Sequence, residues 1–505
     1  MAHRNARRRL RVCALTVLFG CAPPETLSST TCGGQVAYAD ADGDGAGDAA
    51  RPVTDCPPPA GSVLDATDCD DRDAGIAPGG AEVCQDGVDQ DCDGADARCD
   101  PVNVMADPNM LLGPADSSLG GSVATLNDGS ALVVGSAQTP DTDCGAAYVW
   151  SGPVLGAQPV TAAARQLCGK SITNHTVFDG TVVASLGSDR VAVRDGEWQD
   201  VYMFVGEDPV MWYSYDEPRC MGFGSNLTGG EFTDDDVADI LFSKPSCQEE
   251  HGLGGAVLVL SGNRVGDVIA GQEDIRINGP QGSTYFGGLA VAADGDGDGS
   301  DDIFVASEGG PGDIFLFRGP LHGVVSAEDA DVTAPLGVAC NSYSIAAAGD
   351  VDSDGRTDVA IGCFADAGGA MIYQTVTRQS FDAPLAVLTC AADEVCGLRV
   401  WSGFDVDDDD RADVAIDMIW WPDEASYARG VWLTSGPLAG TVEAESQGRV
   451  LTLGTIGVSS VAAVDLNGDG EMELALGTGF GTFSKDLRSS GAVIIVPSPE
   501  LTDPL

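Results

Sequence analysis

Asp350-Val351-Asp352-Ser353-Asp354-Gly355-Arg356-Thr357-Asp358-Val359-Ala360-Ile361-Gly362 is an acidic nine-residue turn that runs straight into an apolar strand. Its acids fall at positions 1, 3, 5 and 9, with glycine at position 6. Three other stretches keep this frame: Asp294, Asp296, Asp298 and Asp302; Asp405, Asp407, Asp409 and Asp413; and Asp465, Asn467, Asp469 and Glu473. Alternate residues of a tight turn aim their carboxylates at one point, and glycine permits the sharp bend. A hard cation such as Ca2+ takes about six to eight oxygens, whereas Mg2+ prefers fewer protein ligands and keeps its waters. The position-7 carbonyl, that of Arg356 in the first loop, is a further candidate ligand, and the acid at position 9 closes the shell. A helix-loop-helix calcium site closes with Glu at position 12; strands flank these loops, so that reading does not apply. One loop alone could be a solvated Asp/Gly turn, but four in register favour calcium. Glu231, Thr233, Asp235 and Asp239 form a weaker version. Asn127-Asp128-Gly129 and Gly187-Ser188-Asp189 lack the loop and are expected to be metal-free.

Each loop belongs to a repeat. Short strands beginning at Gly145, Asp200, Gly255, Gly312, Gly369, Gly430 and Gly491 recur every 55 to 61 residues. A second register, the apolar run after each acidic loop, also counts seven once SALVVGS (130–136) and DRVAVRDG (189–196) are included. A unit of this length with Gly/Asp turns and no helical period fits four short strands, one blade of a propeller. The fold class expected is all-β: a seven-bladed β-propeller over 119–499, closed because open sheets would leave exposed edges.

The aspartate loops, the Gly-Ala strands, Phe223-Gly224 and Phe286-Gly287 resemble FG-GAP repeats, as in the integrin α-subunit propeller. The resemblance covers about three-quarters of the chain and implies a seven-bladed propeller with calcium in hairpin loops on one face. No Phe-Gly stands ahead of the acidic loop in blades five to seven, which bears on uniform occupancy.

Ahead of the repeats, 32–99 is dense in Cys and Asp. Asp40, Asp42, Asp44 and Asp48 repeat the nine-residue frame, followed by Asp68, Asp70 and Asp73, then Asp89, Asp91 and Asp93. Residues 38–96 resemble the MopE-type metal-binding motif. Calcium is the expected ion, since no histidine lies there. The six cysteines of this small module are expected to form disulfides, with a zinc or copper thiolate site as the alternative; fifteen pairings are open. In the propeller, Cys220/Cys247, Cys340/Cys363, Cys144/Cys168 and Cys390/Cys396 are the expected bridges.

The 505-residue chain carries 25 Lys+Arg against 78 Asp+Glu, a net charge of −53. Nucleic acid is excluded as a partner, because phosphate neutralisation needs a basic face. Residues 1–20 read as a lipoprotein signal: five arginines, then the apolar run Val12–Gly20, too short to span a bilayer. Leu18-Phe19-Gly20-Cys21 resembles a bacterial lipobox, making Cys21 the expected lipidation site. An exported protein is expected, lipid-anchored at the outer membrane or cell surface. Residues 21–31 read as a tether, 100–118 as a linker and 500–505 as a tail.

No catalytic motif is found, so the protein is not expected to be an enzyme. Trp420 and Trp421, read as lying in a loop between strands, are either packing residues or a ligand-binding platform. The function expected is non-enzymatic adhesion to, or recognition of, protein or glycan; the alternatives are a polysaccharide hydrolase or lyase on the same scaffold, and a purely structural surface component.

Overall fold

Strands buried on both faces have no reason to alternate apolar with polar residues. Ala131–Ser136, Asp239–Lys244, Asp302–Ala306 and Glu473–Gly477 are buried along their whole length, each the second strand of its sheet. In the computed structural model the repeats form an all-β propeller; among the described residues there are seven sheets of four antiparallel strands, five of them with a fifth strand added in parallel. The residues described run from 36 to 78, Cys92, and from 102 to 501, apart from scattered positions and loop stretches such as 137–145, 169–181, 215–219, 222–225, 248–254, 281–285 and 480–490. The leader, Cys21, the tether, Asp44, Asp89, Asp91 and Asp93 lie outside them.

The first strands of successive sheets adjoin one another, from 123–126 round to 460–464, which adjoins 123–126 again. Seven clusters of buried apolar side chains fill the spaces between neighbouring sheets. One of them joins Leu132 and Tyr148 of the first sheet to Val464 and Val493 of the seventh. Each such side chain contributes about 1.5–3 kcal/mol when fully buried.

Residues 100–118 do not form a plain linker. Asn109–Leu112 is the fourth strand of the seventh blade, pairing antiparallel with 492–495. Val102–Asn103 pairs parallel with the outer strand of the sixth blade. The same capping recurs elsewhere: 266–269, 323–326, 440–443 and 157–159 each lie parallel against the outer strand of the preceding blade. These segments pair backbone groups that an open edge would leave exposed, and at the chain ends this pairing binds the N-terminal segment to the last blade.

Blade six departs from its neighbours in length. Its first three strands, Glu394–Phe404, Asp413–Asp423 and Ser426–Thr434, run 11, 11 and 9 residues. Trp420 and Trp421 lie inside the second of these strands, not in a loop. Trp420 packs against the core between blades five and six, whereas Trp421 is 50% exposed.

By itself, the N-terminal unit (1–83 with 88–97) holds a three-stranded sheet of 52–53, 37–39 and 62–63 and a Cys69–Cys92 disulfide. In the propeller Cys390 is bonded to Cys396, as expected. Cys363 is also disulfide-bonded, with Cys340 outside the described residues. Cys220 faces Cys247 across a short strand pair. Cys144 lies outside the described residues.

Candidate metal centre

The acidic loops join the first and second strands of blades three to seven, so all of them lie at one end of the sheets. The acid at position 9 opens the second strand and is buried: Asp239, Asp302, Asp358, Asp413 and Glu473 are all at most 5% exposed. Each accepts the backbone N–H of the position-2 residue. The donors are Phe232 at 3.0 Å, Gly295 at 3.3 Å, Val351 at 3.2 Å, Val406 at 2.7 Å and Leu466 at 2.8 Å. The position-1 acid holds the tip. Asp294 Oδ2, Asp350 Oδ2 and Asp465 Oδ2 accept from the position-6 glycine amides at 3.0, 2.8 and 3.0 Å. The backbone takes the left-handed region at position 6 (Gly355, φ 84) and also at position 4 (Ser353, φ 65). The second requirement is not visible in the nine-residue pattern.

Four groups of three carboxylates each bring one oxygen apiece within 4.8 Å of the others. They are Asp294/Asp296/Asp298, Asp350/Asp352/Asp358, Asp405/Asp407/Asp413 and Asp465/Asp469/Glu473. Oδ1 of Asp296, Asp358 and Asp413 is buried without a hydrogen-bond partner among the described residues. An orphaned buried carboxylate oxygen costs free energy unless something cationic meets it, so the donor set fits a divalent ion.

Other expected ligands are held by the protein. Asp302 accepts Gly319 N–H with Oδ1 at 2.9 Å and Gly295 N–H with Oδ2. Arg356 donates its amide to Asp354 Oδ1 at 3.0 Å, while its guanidinium lies 3.8 Å from Oδ2. Asp409 is held likewise by Arg411, at 2.9 Å from the amide and 3.0 Å from the guanidinium. Asn467 donates to Glu473 Oε1 at 2.6 Å.

Burial raises the position-9 acids. Asp358 is pushed up to about 8 by burial and then by the charges of Asp352, Asp354 and Asp350. Asp302 and Asp413 are each raised to about 7, by burial and then by the neighbouring loop carboxylates. Glu473 is raised for the same reason.

Blade three shows the loop without a carboxylate trio. It takes the same left-handed backbone at positions 4 and 6 (Asp234, φ 62; Asp236, φ 60). Its acids, however, are occupied by protein donors. Asp235 Oδ2 accepts from Ser261 Oγ and Asn263 Nδ2, both at 3.0 Å. Asp239 Oδ1 accepts from Gly262 N–H at 3.0 Å and Thr233 Oγ1 at 3.3 Å. Glu231 Oε1 accepts from Asp235 N–H at 3.0 Å.

The loops are also stitched to one another. The position-8 N–H of Asp301, Thr357 and Ala412 donates to the position-1 carbonyl of Glu231, Asp294 and Asp350, at 2.9, 3.1 and 3.4 Å. These bonds join the loops of blades three to six into one rim, and the blade-seven loop is tied to blade one through Asp465 N–H on the Gly129 carbonyl at 2.8 Å. Beside it, a cavity of about 970 Å³ is lined by first-strand residues such as Thr125, Ser185 and Ser402 and by Asp405 and Asp407 of the blade-six loop.

In the N-terminal unit, Asp40 Oδ1 accepts Gly43 N–H at 2.7 Å, and Asp68 Oδ1 accepts Asp70 N–H at 2.9 Å. Asp48 Oδ1 accepts Ala50 N–H at 2.7 Å. Asp42 is half-buried and Asp73 exposed. Asp71, which the sequence pattern does not single out, is the buried acid here; it accepts Ala41 N–H at 2.6 Å and pairs with Arg51 at 2.9 Å.

Two family models match the chain. Residues 457–496 match the FG-GAP repeat, and residues 68–97 match the MopE-type copper-binding model of a metal-binding motif. Integrin alpha-7 from Homo sapiens is 33% identical over 151 residues, 29% of this chain and 12% of that protein. Its Rattus norvegicus counterpart is 32% identical over 152 residues, 29% of this chain and 13% of that protein. The chain thus spans about an eighth of the length of these relatives. Among solved structures, Saccharomyces cerevisiae Sqt1 aligns over 78% of this chain and 99% of its own, at 9% identity and a TM-score of 0.44. No helix among the described residues is long and apolar enough to cross a membrane.

Proposed function

We propose that this protein is a calcium-scaffolded recognition module, a closed seven-bladed propeller displayed outside the cytoplasm, anchored through lipid on Cys21 and binding protein or glycan without catalysis. One observation carries the reading: four carboxylate trios in register at one end of the blades, three of them with a buried oxygen that no donor among the described residues satisfies. Hard carboxylate oxygens presented several to a loop suit Ca2+ better than the small, strictly octahedral Mg2+, which keeps its waters. An ion in each loop neutralises clustered charge and fixes the hairpin, so the opposite ends of the blades can present loops from a rigid base. The similarity to integrin alpha-7 supports a recognition role, and the MopE-type motif supports a second metal-binding region in the N-terminal unit.

Thermal melting in calcium and in EGTA, with calorimetric titration of the full chain, tests the proposal. Each loop site should add about 2.7 kcal/mol at 100 times its Kd. A melting temperature indifferent to chelation, or a titration without calcium uptake, overturns it.

A further inference from the structure

A pocket of about 310 Å³ lies between blades six and seven, lined by Leu398, Arg399, Asp417, Ile419, Arg429 and Gly457 among others. Alternate residues of a strand share a face. Ile416, Met418 and Trp420 pack into the core between blades five and six, so Asp417 and Ile419 share the other face, and Trp421 follows where the register with the third strand shifts. Ile419 stands opposite Arg429 in register, which puts Arg429 and Tyr427 on that same face. Trp421 lies eight residues along the strand from Asp413, about 26 Å in extended chain, so this surface is well separated from the blade-six metal loop.

The rear of the pocket is fixed. Arg399 donates its amide to Asp417 Oδ1 at 2.8 Å and its Nη1 to the Val458 carbonyl at 2.6 Å. Arg429 is not tied in this way. Its Nε is buried without a hydrogen-bond partner among the described residues, and its guanidinium carbon sits 5.7 Å from the centre of the Tyr427 ring. Gly457 makes room for that guanidinium, since a Cβ there would come 2.6 Å from Arg429 Nη1. Two guanidinium charges against one carboxylate leave the pocket cationic, in a chain whose net charge is −53. Beyond the lining residues on the same two strands, Trp421 and Tyr427 are 50% and 45% exposed.

We propose that this pocket binds the carboxylate of a single acidic sugar ring, a terminal uronate, with Arg429 gripping the carboxylate, the fixed Arg399 adding its charge behind it, and the exposed Trp421 and Tyr427 rings packing on the sugar. The guanidinium fork matches a carboxylate in geometry and charge. The exposed aromatic pair supplies a flat apolar surface that a peptide carboxylate would leave unused. The volume admits one ring, and the net charge of the chain repels a long polyanion.

The proposal rests on the recognition reading above, so binding is measured at constant calcium on the full chain, while chelation melts report the metal scaffold separately. Methyl glucuronide should bind at least tenfold more tightly than neutral methyl glucoside and more tightly than acetate. Loss of a charge-assisted, bidentate contact predicts that Arg429→Gln weakens methyl glucuronide about tenfold or more. Trp421→Ala, at an exposed position that leaves the fold intact, should weaken it several-fold and carries the test should Arg429→Gln fail to fold. Equal affinity for the glucoside, equal affinity for acetate, as a plain peptide-carboxylate site would give, or unchanged binding in both variants overturns the assignment.

Discussion

Replacing Asp358 by Asn separates a metal ligand from a simple hydrogen-bonding cap. In the folded chain the side chain is 1% exposed; Oδ2 holds Val351 N–H at 3.2 Å, and Oδ1 has no hydrogen-bond partner among the described residues. Burial and the charges of Asp352, Asp354 and Asp350 lift its pKa to about 8, against ~3.9 in an unfolded chain. At pH 7 without a cation, folding must therefore carry a proton onto a group that is ionised when unfolded. At 1.36 kcal/mol per pKa unit, the interval between ~3.9 and pH 7 sets an upper bound of about 4 kcal/mol on that cost. Asn needs no proton, keeps an acceptor for Val351 N–H and offers an N–H to the surrounding carboxylates. Asp358→Asn should therefore stabilise the chelated protein, by up to about 4 kcal/mol. The same change removes a charged ligand, so the calcium-induced increment should shrink by one site's share, about 2.7 kcal/mol at 100 times Kd. Urea midpoints at pH 7, in EGTA and in calcium, read both effects. A variant less stable than the parent in EGTA, or one keeping the full calcium increment, refutes the reasoning.

Leu111→Ala should cost about 2–5 kcal/mol, because Leu111 is fully buried between the seventh and first blades; a loss below about 0.5 kcal/mol in urea denaturation would return 100–118 to the status of a linker. The raised acids also fix a sign for pH. Asp302, Asp358 and Asp413 titrate at about 7, 8 and 7 in the folded chain, above their unfolded values, so between about pH 4 and 8 the folded state holds more protons. The chelated protein should lose stability as pH rises through that window, by up to about 1.4 kcal/mol per pH unit for each group still protonated when folded. Calcium, which binds the ionised form, should flatten that slope; melts from pH 5 to 8.5 check it, and a chelated protein that grows more stable with rising pH contradicts it.

Much of the rim was legible because its chemistry is contiguous. Asp350, Asp352 and Asp358 meet within one nine-residue turn, so spacing alone placed them together, as it did in blades four, six and seven. Within those same loops, which acids stay in the trio was not legible. Asp354 is drawn off by Arg356, while Asp302 is taken by Gly319 from the next hairpin. In blade three, Ser261 and Asn263 supply donors that the acidic stretch itself does not contain. The left-handed backbone at position 4 is disguised where Ser353 and Asp234 stand instead of glycine.

The repeat, the all-β class and the acidic loops are readable along the chain, because ligand spacing and unbroken apolar runs are properties of neighbouring residues. That Asn109–Leu112 completes the last blade, and that Arg399, Asp417, Arg429 and Gly457 line one pocket, emerges only in three dimensions. Strand pairing uses N–H and C=O groups that every residue but proline carries alike, so it leaves no signature in residue type, and side chains from separate strands meet only once the sheets have packed.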